Sequence, residues 1–370
     1  HENTMIITSV DAIPVNERVR PDLAIVTAAG IHPESHYLIV KITVDEGLSG
    51  YGEATLAHVW SGEHQTAAQA ILREILAPLL IGKDVLQLNA LSDEMDKFLI
   101  GNPFIKAAVE MALVDLAARA LNVPACVLLG GPRRPPLIPQ KFSIGAFLPR
   151  EAARVARYAA SLGLRSAKVK VGFRVSDDIA RVEAVRSEVG AEFHLGVDAN
   201  AGWTESDATC ALQHLERLGV NVIEQPIRRG DFRGCARLRQ RTGIPIMLDE
   251  SVFTRQDALE AIRLDACDFL SVYPGKNGGI FRSLEIANMA ASAGLELVIG
   301  SNLETDLGSA AMLHLAVAMP ALATEVAHDV IGPLYYERHF TNPPIAYADG
   351  SAIVPEGIGW GVELDLAKLR

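Results

Sequence analysis

From Pro136 onward the chain alternates short apolar segments with amphipathic ones at a repeat of about 25 residues, and this rhythm restricts the fold more than any other feature. The apolar segments fall near Ile138–Ile144, Ser166–Val171, Phe193–Asp198, Val222–Gln225, Pro245–Asp249, Asp268–Tyr273, Glu296–Gly300 and Thr324–Val326. Amphipathic stretches such as Glu151–Leu162 and Glu205–Leu218 fill the intervals, and no hairpin turn joins two strand segments. Strand and helix in regular alternation predict parallel strands with helical crossovers, and eight such strands predict a closed barrel. A doubly wound open sheet would carry a glycine fingerprint after its first strand, and none is present.

The first third reads differently. Tyr37–Val44 is largely β-branched, and Asp45-Glu-Gly47 closes it as a turn before Gly50-Tyr-Gly-Glu53. Between about Glu63 and Leu121, Ile105, Ala108, Met111, Ala112 and Leu116 recur at helical spacing until Asn122-Val-Pro124 stops the run. Strands followed by helices predict a small α+β unit. The stretch from Pro343 to Arg370 is too short to extend the barrel and is expected to fold back onto that unit.

Composition removes several classes of function. A formal charge of −11 argues against nucleic acid or an anionic membrane as the partner. No apolar run approaches the roughly 20 residues of a membrane span, and no export signal opens the chain. The four cysteines, Cys126, Cys210, Cys235 and Cys267, form no CxxC pair and read as buried thiols of a reducing compartment. A cytoplasmic protein is expected, with Met5 as the native start and His1 to Thr4 an appended remnant.

In such a barrel the functional side chains stand at the C-terminal ends of the strands. Those ends read Lys168-Val-Lys170, Asp198-Ala-Asn200, Glu224-Gln-Pro226, Asp249-Glu250, Lys276 and Glu304. A lone acid after a strand usually caps the next helix. Asp198, Glu224 and Asp249, however, recur at separations of 26 and 25 residues (198 to 224 to 249), one repeat each, which places them on three adjacent strands. Three converging carboxylates repel unless a counter-charge joins them, and an all-oxygen set suits Mg²⁺, with Mn²⁺ as the alternative.

Lys168 and Lys170, two residues apart, share one strand face. Because Val169 and Val171 take the helix-facing side, both ammonium groups are expected in the barrel mouth. Mutual repulsion and burial are expected to bring them down from about 10.4 toward the range of roughly 7–8 that suits a base. Lys276 leaves the sixth strand and should approach from the opposite side. Together these groups fit removal and delivery of a proton next to a carboxylate, with the metal stabilising the enediolate. Gly275-Lys276-Asn277 lacks the remaining elements of a phosphate loop, so nucleotide binding is discarded.

These segments, with Lys276-Asn-Gly-Gly279, Leu128-Leu-Gly-Gly131, Ser301-Asn-Leu-Glu304 and Gly332-Pro-Leu334, resemble the enolase superfamily, specifically its muconate lactonizing enzyme (muconate cycloisomerase) subgroup. The resemblance implies a modified TIM barrel, (β/α)7β, at 136–339. It also implies an α+β capping domain at 1–135 completed by 340–370. It implies Mg²⁺ ligands at Asp198, Glu224 and Asp249, acid/base roles for Lys170 and Lys276, Lys168 as their electrostatic partner, and Asn200 and Glu250 supporting the ligands from behind. Two capping segments, about Arg18–Ser35 and Glu53–Glu63, would select the substrate, with His58 and Trp60 in the second. Ser301, Asn302, Glu304 and Glu325 would complete the substrate site. A symmetric homo-oligomer acting on a small-molecule carboxylate is also implied.

The mandelate racemase branch places a His-Asp dyad after the sixth and seventh strands, and no histidine stands at either end here. Dipeptide epimerases carry Asp-x-Asp in the eighth-strand region, where this chain reads Thr324-Glu-Val-Ala-His-Asp329. Cycloisomerisation of a conjugated diacid is therefore the first expectation. Racemisation or epimerisation of an N-substituted or cyclic amino acid is the second, and dehydration of a hydroxy acid the third. A metal-binding scaffold without catalysis is the alternative outside enzymes.

Overall fold

The computed structural model describes residues 4–369; His1 to Asn3 of the expected appended remnant lie outside them. Five strands open the chain: β1 Ile7–Arg18, β2 Ile25–Thr27, β3 Gly30–His32, β4 Glu34–Val44 and β5 Ser49–Leu56. β1, β4 and β5 form an antiparallel sheet in that order, and β2 and β3 make a separate hairpin. The helix Pro103–Ala120 lies across the sheet and is buried from Phe104 to Ala118. Its sequence predicted one apolar face, yet every face is covered, because the sheet and the barrel enclose it together. Gly50 and Gly52 permit the approach: a Cβ on Gly52 would stand 2.0 Å from the Ala108 carbonyl oxygen, and one on Gly50 2.4 Å from that of Ala112.

β6 Leu137–Pro139 comes next, outside the barrel sheet, and the barrel strands follow as β7 Phe142–Ile144, β8 Ser166–Lys170, β9 His194–Asp198, β10 Val222–Glu224, β11 Ile246–Leu248, β12 Phe269–Val272 and β13 Glu296–Ile299. β7 to β13 form one parallel sheet in unbroken sequence order. Helices such as Glu205–Arg217 and Arg255–Arg263 start at capping boxes, Thr204 with Asp207 and Thr254 with Asp257, which satisfy the first free N–H groups.

Two expectations are corrected. The segment Ile138–Ile144 is two strands, because Gln140 N–H turns to Gly350 O and Lys141 N–H to His328 O. Thr324–Val326 is not a strand. Residues 321–329 instead bridge the gap through single contacts: Ala323 N–H to Leu297 O and Asp329 N–H to Ile299 O of β13 on one side, and His328 to Pro139 and Lys141, just ahead of β7, on the other.

Inside the lower half of the barrel Val222, Met247, Phe269, Val298, Ala323 and Val326 form their own apolar cluster. The charged groups thus lie above a dry plug. The tail also differs from expectation. Ser351–Ile353 first pairs with β6, and only then does the chain reach the capping unit, where Trp360 donates its backbone N–H to Asp115 Oδ1 (3.1 Å) and its indole N–H to Tyr51 O (3.2 Å). Three cysteines are buried as expected, whereas Cys210 is exposed; all four are free. Among the described residues no helix is long and apolar enough to cross a membrane.

Candidate active site

Strand register assembles the site. Lys170 pairs with Asp198 across β8 and β9, and Asp198 with Glu224 across β9 and β10, so the three stand level on neighbouring strands. Asp249 follows β11 directly, and Lys276 lies in the short helix Pro274–Asn277 after β12. In strand order the row reads lysine, aspartate, glutamate, aspartate, lysine. Val169 and Val171 point away and are fully buried, so Lys168 and Lys170 occupy the interior as expected.

Every charge in the row has a partner. Lys170 Nζ lies 2.5 Å from Asp198 Oδ2. Lys168 Nζ donates to Glu224 Oε2 at 2.8 Å and to Asp329 Oδ2 at 3.1 Å, and stands 3.5 Å from Asp198 Oδ2. Lys276 Nζ donates to Asp249 Oδ1 at 2.8 Å and to the carbonyls of Asp249 (3.0 Å) and Ser271 (2.6 Å).

The expected downward shift of the lysine pair is overturned at Lys168. Burial acts to lower it, but the Asp329, Glu224 and Asp198 carboxylates outweigh burial and hold the ammonium well above the usual lysine range. The acids diverge. Burial would raise Asp198, but Lys170 and Lys168 keep it below the ordinary carboxylate range. Burial, assisted by Asp198, Asp249 and Asp329, pushes Glu224 up to about 7 against the pull of Lys168. Glu250 rises to about 8 through burial and its neighbours Asp249 and Asp198.

Among the described residues no three His, Cys, Asp or Glu side chains stand close enough to hold a metal ion as placed, since each of the three acids is turned onto a lysine. Their chemistry nevertheless fits a hard dication: all donors are carboxylate oxygens, and the mutual repulsion that raises Glu224 is what a divalent charge relieves.

Supporting groups surround them. Asn200 Nδ2 donates to Glu250 Oε1 at 2.7 Å, leaving Asn200 Oδ1 and Glu250 Oε2 buried without hydrogen-bond partners among the described residues. Gln225 Oε1 accepts from the backbone N–H groups of Asp249 and Ser251, both at 3.1 Å, and so fixes the turn after β11. Asn200, Ala201, Gln225 and Leu303 all carry positive φ, 42°, 60°, 36° and 61°. Non-glycine residues in that region are strained, and these four follow the strand ends that build the site.

A cavity of about 350 Å³ opens above the row. Lys168, Lys170, Asp198, Glu224, Asp249 and Asn200 line its floor, and both capping segments supply its roof, including Ile31, His58 and Trp60. Trp60 packs on Phe253 and Tyr273, with ring centroids 5.3 and 6.1 Å apart. Ser301 and Asn302 line the cavity, whereas Glu304 stands behind them. It accepts from Ser301 Oγ (2.6 Å) and Asn302 N–H (3.0 Å), and burial raises it to about 7. The structure does not bring Glu325 to the site. It is exposed at the opposite end of the barrel, beside Ser166 and His194 at the starts of β8 and β9.

Two charged residues escaped the sequence reading. Asp329 lines the cavity, and the fully buried Lys141 lies 2.9 Å from Asp329 Oδ2. Asp329 ends the segment that closes the barrel, five residues beyond the start of the expected eighth strand (329 − 324). Its one sequence signal is a charge between the apolar pairs Val326-Ala327 and Val330-Ile331.

Residues 8–130 match the mandelate racemase/muconate lactonizing enzyme N-terminal domain, and residues 150–368 match the enolase C-terminal domain-like family. The chain is 33% identical to an L-Ala-D/L-Glu epimerase of Bacillus subtilis, covering 96% of this chain and 95% of that one. It is 32% identical to an N-succinyl-L-Arg/Lys racemase of Bacillus cereus, over 93% and 92%. The crystal structure of 2-chloromuconate cycloisomerase from Rhodococcus opacus superposes with a TM-score of 0.94 at 33% identity, covering 99% of this chain and 98% of that one.

Proposed function

Given that the chain belongs to the mandelate racemase/muconate lactonizing enzyme family of the enolase superfamily, we propose that Lys170 and Lys276 move the proton next to the carboxylate of a small-molecule substrate. The chain is an isomerase of that superfamily. The observation that carries the proposal is the row itself: Lys170, Asp198, Glu224 and Asp249 line one cavity, and Lys276 lies fully buried against Asp249 at the far end of the row.

Asp198, Glu224 and Asp249 would hold Mg²⁺ or Mn²⁺, which supplies, when bound, the positive charge that stabilises the enolate form of a substrate carboxylate. Lys170 would meet the reacting carbon from the β8 side, and Lys276, now buried on Asp249 and the Ser271 carbonyl, would serve it from the β12 side. Lys168 stays a cation, tied to Glu224 and Asp329, and contributes fixed positive charge beside the carboxylate. The capping segments cover the cavity and exclude water from the exchange.

A proton donor on each side favours inversion at the carbon, which is racemisation or epimerisation. Cycloisomerisation is the second reading, the reaction named for the chloromuconate enzyme on which the chain also superposes. The test is deuterium uptake from D₂O by a panel of carboxylates with Mg²⁺ present, read by mass spectrometry and optical rotation. Lys170→Ala and Lys276→Ala should each slow uptake by about a hundredfold or more on the face they serve. Uptake at the wild-type rate in Lys170→Ala would remove Lys170 from the reaction, and no uptake of any probe by the wild type would leave the protein a binding scaffold.

A further inference from the structure

Residues 55–60 all line the cavity, and the stretch that carries them runs between two buried glutamates, Glu53 (2% exposed) and Glu63 (6%). Each glutamate reaches the N-terminus of a helix to which it does not belong. Glu53 accepts from Thr305 N–H at 2.8 Å, Gly308 N–H at 3.1 Å and the Thr305 hydroxyl, at the start of the helix Asp306–Ala318. Glu63 accepts from Phe104 N–H at 2.9 Å and Ile105 N–H at 3.1 Å, at the start of the helix Pro103–Ala120.

The helix Pro103–Ala120 has no cap of its own. Asn102 stands at the N-cap with φ of 53° and makes no capping bond, and Pro103 has no N–H to offer. The next two N–H groups therefore go to a carboxylate 41 and 42 residues earlier in the chain. Between the glutamates, residues 57–62 form a self-contained turn. Trp60 N–H and Ser61 N–H return to Ala57 O, Gly62 N–H returns to His58 O, and Ser61 Oγ accepts from Glu63 N–H at 3.3 Å. Among the described residues no hydrogen bond ties residues 57–62 to the barrel. The turn rests there on Trp60, whose ring centroid lies 5.3 Å from that of Phe253 and 6.1 Å from those of Tyr273 and Phe104. Phe104 holds it twice, with its N–H on Glu63 and its ring against Trp60. That ring also presses on the turn that carries Lys276, since a Cβ on Gly275 would stand 2.6 Å from it.

We propose that Glu63 is a positioning residue for substrate binding: it anchors residues 57–62 as a lid on the helix Pro103–Ala120, and so keeps Trp60 seated on Phe253 and Tyr273 while a substrate lies beneath. The inference rests on the α-proton reading above for what the lid covers, and on geometry alone for the anchor. A cap drawn from the adjacent Asn102 would stabilise the helix as well without fixing anything else. Drawn from Glu63, the same cap holds the roof of the cavity. A segment with no hydrogen bond to its support opens at low free-energy cost, so its seating depends on the anchor and the aromatic wedge together. Glu63 is not part of the cavity wall, so its loss acts through the lid.

The test is backbone hydrogen exchange of the full chain with Mg²⁺ present, read by mass spectrometry in the wild type and in Glu63→Gln. The amide of that variant keeps one acceptor and turns a donor onto the other N–H. The amides of Trp60, Ser61 and Gly62 should exchange about tenfold or more faster than in the wild type, while those of residues 108–118 keep the wild-type rate. Deuterium uptake by N-succinyl-L-arginine and L-Ala-L-Glu then reads the consequence for binding: KM should rise about tenfold and kcat should fall by less. Lid exchange at the wild-type rate, or acceleration confined to the helix, would overturn the inference and leave Glu63 an ordinary helix cap. A lowered kcat beside an unchanged KM would overturn it as well. Where Glu63→Gln fails to fold, Glu63→Asp keeps the charge but draws it back by one methylene. It should loosen the same three amides, and an unchanged lid in that variant would overturn the anchor. Inertness of the wild type toward both probes would count against the α-proton reading, and lid exchange would still decide for or against Glu63.

Discussion

Lys168 shows how one buried cation can organise several acids. Its ammonium touches three carboxylates from three parts of the barrel, Asp198, Glu224 and Asp329. Removing it leaves these charges short of a partner in a buried setting, which costs about 3–5 kcal/mol for a broken buried pair. Lys168→Met should therefore lower the urea midpoint and melting temperature markedly, and a wild-type denaturation curve would show that the acids find other partners. The same residue marks the limit of sequence reasoning. The Lys-x-Lys spacing places both lysines inside the barrel, but the surrounding carboxylates, not like-charge repulsion, set the state of Lys168. Which acids surround a lysine depends on segments 28 to 161 residues away. Asp329 and Lys141 were missed for a related reason. Each lies where a short segment changes partners instead of extending a regular strand, and periodicity carries no signal there.

At the scale of elements, the joint between capping helix and barrel explains a motif that chemistry alone does not. Lys276-Asn-Gly-Gly279 ends with φ of 84° and 145° at its two glycines. A Cβ on Gly279 would lie 2.3 Å from Glu110 Oε1 of the helix Pro103–Ala120. Glu110 accepts there from Phe281 N–H at 2.8 Å and from Ser92 Oγ. Gly279→Ala should loosen this joint through both the backbone angle and the clash, lowering the melting temperature by several degrees. Burial pushes Glu110 from an ordinary 4.5 up to about 7. The folded chain thus holds this proton up to about pH 7 while the unfolded chain releases it near 4.5, so folding gains from acid and stability falls as pH rises across that window. A Glu110→Gln protein, which cannot ionise, should show a flatter melting temperature between pH 5 and 8. A slope equal to that of the wild type would remove Glu110 from the account. The helical spacing around Ile105 was legible in the sequence. That the helix is covered on every side was not, because periodicity reports one packing partner and this helix has two.

For the whole molecule, the alternation after Pro136 foretold the parallel sheet and the level row of charges, since strand order and side-chain parity are local properties. The closing of the barrel was less legible. Its last position is filled by irregular chain, and a sequence with no strand signal gives little warning of single bridges. If the three acids hold a dication, exhaustive chelation should abolish deuterium uptake and Mg²⁺ or Mn²⁺ should restore it; activity that survives chelation would require a different source of positive charge. The docking of Trp360 on Asp115 spans 245 residues of sequence. A ribosome must therefore deliver the entire catalytic barrel before the partner of that early carboxylate emerges. Completion of the capping unit therefore comes later along the chain than synthesis of the barrel it covers.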